Sequence, residues 1–165
     1  MRLTTMTDYA LRLLMYLAHQ PGRLCTIAEV AQAYGISQAH LMKITHQLGL
    51  AGFVETVRGK GGGMRLAAPP AAINLGAVVR AVEPDFALVE CFGAENRCSL
   101  TTYCRLAGVL GGALASFLAH LDRHTLADLV PDAPPATAAV TLSRAPRPGA
   151  ARAAGAANRR PMTRN

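Results

Sequence analysis

A chain of 165 residues is long enough for one ordinary domain with a tail, or for two small elements sharing a core. Hydrophobic residues at 51% against 16% charged exclude a chain disordered by composition, and no run approaches the roughly 18–20 apolar residues of a membrane span. The net charge of +7 is lopsided: beyond residue 130 six arginines face one aspartate, so basicity alone is a weak argument for nucleic acid.

In chain order, the first predicted helix covers Thr7 to His19, where Ala10, Leu13, Leu14, Leu17 and Ala18 follow the 3.6-residue rhythm of a buried face. Arg12 interrupts this apolar stretch and no small-residue cleavage site comes after it. It reads as an amphipathic helix rather than a signal peptide, and a cytoplasmic protein with reduced thiols is expected. Pro21 and Gly22 end the helix. Thr26 and Glu29 form a capping box that opens a short helix, Ile27 to Tyr34. After a tight turn at Gly35 and Ile36, Ser37 caps a third helix from Gln38 to about Leu50. Two short helices joined by a glycine turn occur in bundles as well as in helix-turn-helix proteins.

The next fourteen positions, 53–66, favour the second. Phe53 to Val57 alternates as a strand, Arg58-Gly59-Lys60-Gly61-Gly62-Gly63 is a flexible turn, and Met64 to Leu66 returns. A hairpin directly after a helix-turn-helix is a winged helix. A phosphate cradle is a further possibility for the glycine run, but neither the Walker pattern nor the dinucleotide fingerprint is met, because no apolar strand feeds a glycine loop that opens a helix. Pro69 and Pro70 close the wing, and Asn74 caps a helix from Leu75 to Val82 that Pro84 stops.

Residues 85–102 read as an irregular loop. A long helix is predicted from about Tyr103 to His124, striped by Leu106, Leu110, Leu114, Phe117 and Leu121. Gly108, Gly111 and Gly112 each cost about 0.5–1 kcal/mol there relative to Ala. Such penalties make sense where another backbone approaches closely, and this helix is taken as the dimer contact, with packing inside the protomer as the alternative. The fold class is mainly α with a small β-hairpin wing: a winged helix-turn-helix plus a long dimerisation helix. The expected division is a DNA-binding domain over 1–83, a cysteine-bearing loop over 84–102, the dimerisation helix over 103–130 and a disordered basic tail over 131–165.

Three of the four cysteines crowd one stretch: Cys91, Cys98 and Cys104, spaced C-x6-C-x5-C. Cys25 stands alone and reads as a small buried hydrophobe. The paired C-x2-4-C ligands of structural zinc are absent, and a disulfide would leave an odd thiol. An iron–sulfur cluster needs several thiolates around a bulky core, which these spacers allow, although a fourth ligand must come from elsewhere. Zinc or a thiol switch remain alternatives from spacing alone. An enzyme with a cysteine nucleophile is disfavoured, since no cysteine-protease signature surrounds any of the four thiols.

For DNA, the third helix offers Gln38, His40, Lys43 and His46 on its polar side against Leu41, Ile44 and Leu48 facing inward. Gln38 and His40, near the N-terminus, are the expected base readers, and Lys43 and His46 meet bases or phosphate. Arg58 and Lys60 in the wing are expected at the minor groove or its phosphates. A dimer of such units reads a near-palindromic double-stranded operator with half-sites about one helical turn apart.

Taken together, SQAHLMKITHQLGLAGFVETVRGKGGGMRL, the opening MRLTTMTDYALRLLMYLA and the three cysteines resemble the NsrR family of nitric-oxide-sensing repressors, relatives of the iron–sulfur regulator IscR. The resemblance covers about residues 1–125. It implies a homodimer with one iron–sulfur cluster per subunit, 4Fe–4S favoured over 2Fe–2S, held by Cys91, Cys98 and Cys104. It also implies a fourth ligand from Asp8 of the other subunit. From the residues alone, Asp8 reads as a carboxylate in the first turn of a helix, where it favours the macrodipole. Nitric oxide is the implied signal, with nitrosylation of the cluster releasing the operator; a response to oxygen or to iron–sulfur status is the alternative. IscR-type proteins place a histidine three residues beyond the last cysteine, and here that position is Ala107.

Overall fold

The computed structural model describes residues 2–130; the predicted basic tail over 131–165 lies outside them. Helix α1 runs over Thr5–Ala18, starting two residues earlier than its apolar rhythm implies. Its start is set by Thr4, whose hydroxyl accepts from the Thr7 N–H at 3.3 Å. A carboxylate remote in sequence joins that cap. Glu83 accepts from the Thr4 N–H at 3.0 Å and from the hydroxyl of buried Thr7.

Helices α2 (Ile27–Tyr34) and α3 (Gln38–Leu50) form the helix-turn-helix. Both capping devices legible in the sequence are present. Thr26 and Glu29 bond reciprocally, and the Ser37 hydroxyl accepts from the His40 N–H at 3.3 Å. Strands β1 (Val54–Val57) and β2 (Gly63–Leu66) make an antiparallel hairpin with Glu55 opposite Arg65. Gly59 and Gly61 sit at φ +100° and +77° at its tip, a backbone region that L side chains rarely adopt. Cys25 pairs with Met64 through both backbone bonds (2.9 and 2.8 Å), so the approach to α2 acts as a third short rung of the wing.

Helix α4 (Leu75–Val82) is capped by Asn74 as expected. Helix α5 covers Leu106–Asp122, beginning three residues later than the sequence pattern suggests. The Tyr103 and Cys104 N–H groups are both taken by the Leu100 carbonyl (3.0 and 2.9 Å), which closes a turn before the helix can start. All three clustered cysteines therefore precede α5.

The chain after α5 returns to the body of the molecule, a feature the sequence did not reveal. Leu126 opens a 3-10 turn over Leu126–Leu129, is fully buried, and donates its N–H to the Ile73 carbonyl at 2.8 Å. The core gathers Ala10, Leu13, Leu14 and Leu17 of α1 with Leu41, Ile44 and Leu48 of α3, Val78 and Val82 of α4, and Leu126. One core thus unites the winged helix with the far end of the α5 segment. No helix among the described residues is long and apolar enough to cross a membrane.

Candidate functional site: DNA face and cysteine loop

The outer side of α3 is set by its inner side. Leu41, Ile44, Thr45 and Leu48 are buried, which leaves Gln38, Ala39, His40, Met42, Lys43, His46 and Gln47 exposed. Among the described residues, none of Lys43, Arg58 and Lys60 has an acidic partner within 4 Å. Arg65 differs: Glu55 binds it across the hairpin at 2.9 Å. Three unpaired cations on one helix and its wing are an arrangement suited to a polyanion.

His40 stands at the α1 edge of this face. Its ring lies 6.4 Å from that of Tyr9, and the Arg12 guanidinium lies 5.9 Å from the same Tyr9 ring. Arg12 in turn grips both oxygens of Asp8, at 3.1 and 2.9 Å. Asp8, Arg12, Tyr9 and His40 therefore form one contact series from α1 to the face of α3. Arg12 and Tyr9 were not singled out as site residues from the sequence; the i,i+4 spacing of Asp8 and Arg12 on a helix was the signal available.

On the cysteine loop, Cys91 lies in a 3-10 turn (Glu90–Phe92), while Cys98 and Cys104 flank the turn ahead of α5. The bonds of the loop are local. Cys98 N–H donates to Asn96 Oδ1 at 3.0 Å, the Thr101 hydroxyl to the Cys98 carbonyl at 2.8 Å, and Arg97 N–H to Glu90 Oε1 at 3.0 Å. All three thiols are free and half-buried. Among the described residues, no group of three or more His, Cys, Asp and Glu side chains is arranged to hold a metal ion. The chemistry of the donor set nevertheless fits a sulfur-ligated cluster: three soft, unpaired thiols on one loop tied together by short-range bonds only. Cys25 is a different case. It is fully buried, and burial pushes its thiol pKa up, away from the thiolate a ligand requires.

Helix α5 buries none of its residues within the protomer. Tyr103 (89% exposed), Val109 (68%) and Leu106 continue the apolar surface beside the cysteine loop. A Cβ added at Gly108 or Gly112 would meet nothing within 4 Å, so packing inside the protomer does not account for those glycines.

A helix-turn-helix with an adjoining hairpin, a cationic outer face and a well-packed inner face define a winged-helix transcriptional regulator. The chain belongs to the Rrf2 family, described as iron-dependent transcriptional regulators, whose family model matches residues 3–132. It is 52% identical over 132 residues to the HTH-type transcriptional regulator NsrR of Bacillus subtilis, covering 79% of this chain and 90% of that one. NsrR of Halalkalibacterium halodurans is 51% identical over the same shares. Among solved structures, T. potens IscR superposes with a TM-score of 0.61 at 27% identity, over 78% of this chain and 85% of that chain. CymR, the global cysteine regulator of B. subtilis, superposes at 0.59 and 25% identity, over 78% and 95%.

Proposed function

We propose that this protein is a homodimeric repressor that binds operator DNA, holds an iron–sulfur cluster of the 4Fe–4S type in each subunit and releases the operator in response to nitric oxide. The observation that carries the reading is the cysteine loop: three free thiols directly ahead of a helix whose first turns expose Leu106 and Val109, in a chain half identical to NsrR regulators. When bound, the cluster supplies iron accessible to a small diatomic ligand.

In this reading each of the chain's own residues takes a role. Cys91, Cys98 and Cys104 hold the cluster as thiolates, and α5 brings two protomers together through the face around Val109. Asp8 serves the partner subunit's cluster as fourth ligand. Arg12 takes one lone pair on each Asp8 oxygen in the protomer, which orients the carboxylate and leaves a second lone pair on each oxygen for ligation. Arg12 lies over the Tyr9 ring and Tyr9 beside His40, and in this reading these neighbours are the route by which the state of Asp8 reaches the recognition helix. Gln38 and His40 read bases, Lys43 and His46 meet bases or phosphate, and Arg58 and Lys60 engage the backbone at the minor groove. Ligand state and operator affinity then share a coupling free energy.

Anaerobic purification and then iron and sulfide analysis test the cofactor. A brown protein with broad visible absorbance and acid-labile sulfide is expected, and colourless protein carrying zinc would replace the cluster by a zinc or thiol switch. Gel shift before and after nitric oxide tests the signal. Operator binding that nitric oxide leaves unchanged removes the sensor role.

A further inference from the structure

The exposed side of the recognition helix is not wholly polar. Met42 lies at one margin of that side, 57% exposed, one turn beyond Gln38 and exposed Ala39 and next to Lys43. Its flank of α3 also carries Thr45, whose hydroxyl donates to Met64 Sδ of β2, so Met42 stands on the wing side of the helix, opposite the edge where His40 meets Tyr9. No part of the core needs it there: the inward positions of α3 are filled by Leu41, Ile44, Thr45 and Leu48.

The major groove presents donors and acceptors at every base pair, but only one apolar group, the 5-methyl of thymine. A thioether pressed against a polar base edge loses water and gains little, while against a methyl group it gains hydrophobic contact. Methionine suits that role, being unbranched, polarizable and adaptable in shape. Resting on the DNA-binding reading above, we propose that Met42, with Ala39 beside it, is a specificity-determining residue that reads a thymine methyl in each operator half-site. Lys43 and His46 supply the electrostatic contacts around it, and the operator carries an obligatory A·T pair beneath the middle of α3.

The test uses the cluster-loaded full chain and a duplex that the protein itself selects from a random pool. Each thymine of one half-site is replaced in turn by deoxyuridine, which keeps every hydrogen-bonding edge and removes only the methyl group. At one or two positions the wild-type protein is expected to bind about fourfold more weakly, the effect of one buried methyl-sized group. Met42→Ala is expected to be indifferent to those same replacements, and Met42→Leu to keep the sensitivity. Because the side chain is exposed, both variants retain the core, which thermal melting checks. Deoxyuridine that is neutral at every position, or a Met42→Ala protein as sensitive as wild type, overturns the inference while leaving DNA binding intact. A selection that enriches no sequence overturns both.

Discussion

The guanidinium of Arg80 and the carboxylate of Asp122 meet through two hydrogen bonds of 2.5 and 2.7 Å, joining the last turn of α4 to the last residue of α5. Arg80 holds the Asp122 carboxyl below its ordinary pKa, and Asp122 raises the arginine's further. The depressed carboxyl sets the sign. The stability this pair contributes is present above about pH 4, where an unfolded aspartate is already ionised, and is lost as pH falls through the lower folded value. Asp122→Asn is expected to lower the melting temperature at pH 7 and to flatten its fall between about pH 5 and pH 2. Arg80→Ala should do the same, and the double variant should melt no lower than the worse single one.

Gly76 faces this ion pair. A Cβ at that position would fall on the Asp122 carboxylate and lie 2.9 Å from the Arg80 guanidinium. Both atoms belong to the ends of half-exposed, flexible side chains, so Gly76→Ala is expected to displace the ion pair rather than the helix and to change stability by no more than about 1 kcal/mol, the loss of a surface pair set against alanine's better helix propensity. Urea denaturation checks it, and a stabilised variant would show that the pair relaxes without cost.

The four cysteines should separate into two classes. Serine at Cys91, Cys98 or Cys104 is expected to abolish or sharply reduce bound iron and sulfide in anaerobic protein while leaving the melting of the metal-free chain nearly unchanged. Cys25→Ser is expected to keep iron and to lose about 1–3 kcal/mol, because a buried hydroxyl replaces a thiol that fills the core. Iron content and urea midpoints on the same four variants provide the measurement.

Arg58 and Lys60 project from the wing tip without acidic partners among the described residues. Replacing both by alanine should weaken operator binding at every sequence tested and flatten the plot of log affinity against log salt. The slope should fall by about 0.9 for each phosphate no longer neutralised. Lys43→Ala should cost affinity and, if it also reaches a base, change which operator is preferred.

A charge at Val109 should not disturb the protomer, whose core does not include this residue. It should oppose assembly across α5. Val109→Glu is expected to sediment as a monomer with unaltered far-ultraviolet circular dichroism, and to lose most of its operator affinity, since a lone protomer presents one recognition helix.

Local chemistry made much of the fold legible. Helices α2, α3 and α4 begin where Thr26, Ser37 and Asn74 place them, because each cap is a bond between residues three apart. The hairpin was equally plain from alternation and a glycine-rich turn. The site was legible in part: residue types and spacing single out the cysteine loop and the polar side of α3. Sequence did not show that Arg12 and Tyr9 stand between Asp8 and His40, since Tyr9 and His40 lie thirty-one positions apart and nothing in their spacing marks the contact.

By itself the sequence determined the order of elements, their caps and the inward faces, all consequences of hydrogen bonds and periodicities only a few residues long. Tertiary structure alone decided the longer-range matters. Glu83 reaches back to Thr4 and Thr7, Leu126 returns to the core, Arg80 finds Asp122, and α5 docks by its C-terminal end while Leu106 and Val109 stay exposed. Each depends on which surfaces remain once α1, α3 and α4 have packed, and that remainder is a property of three-dimensional shape with no local signature along the chain.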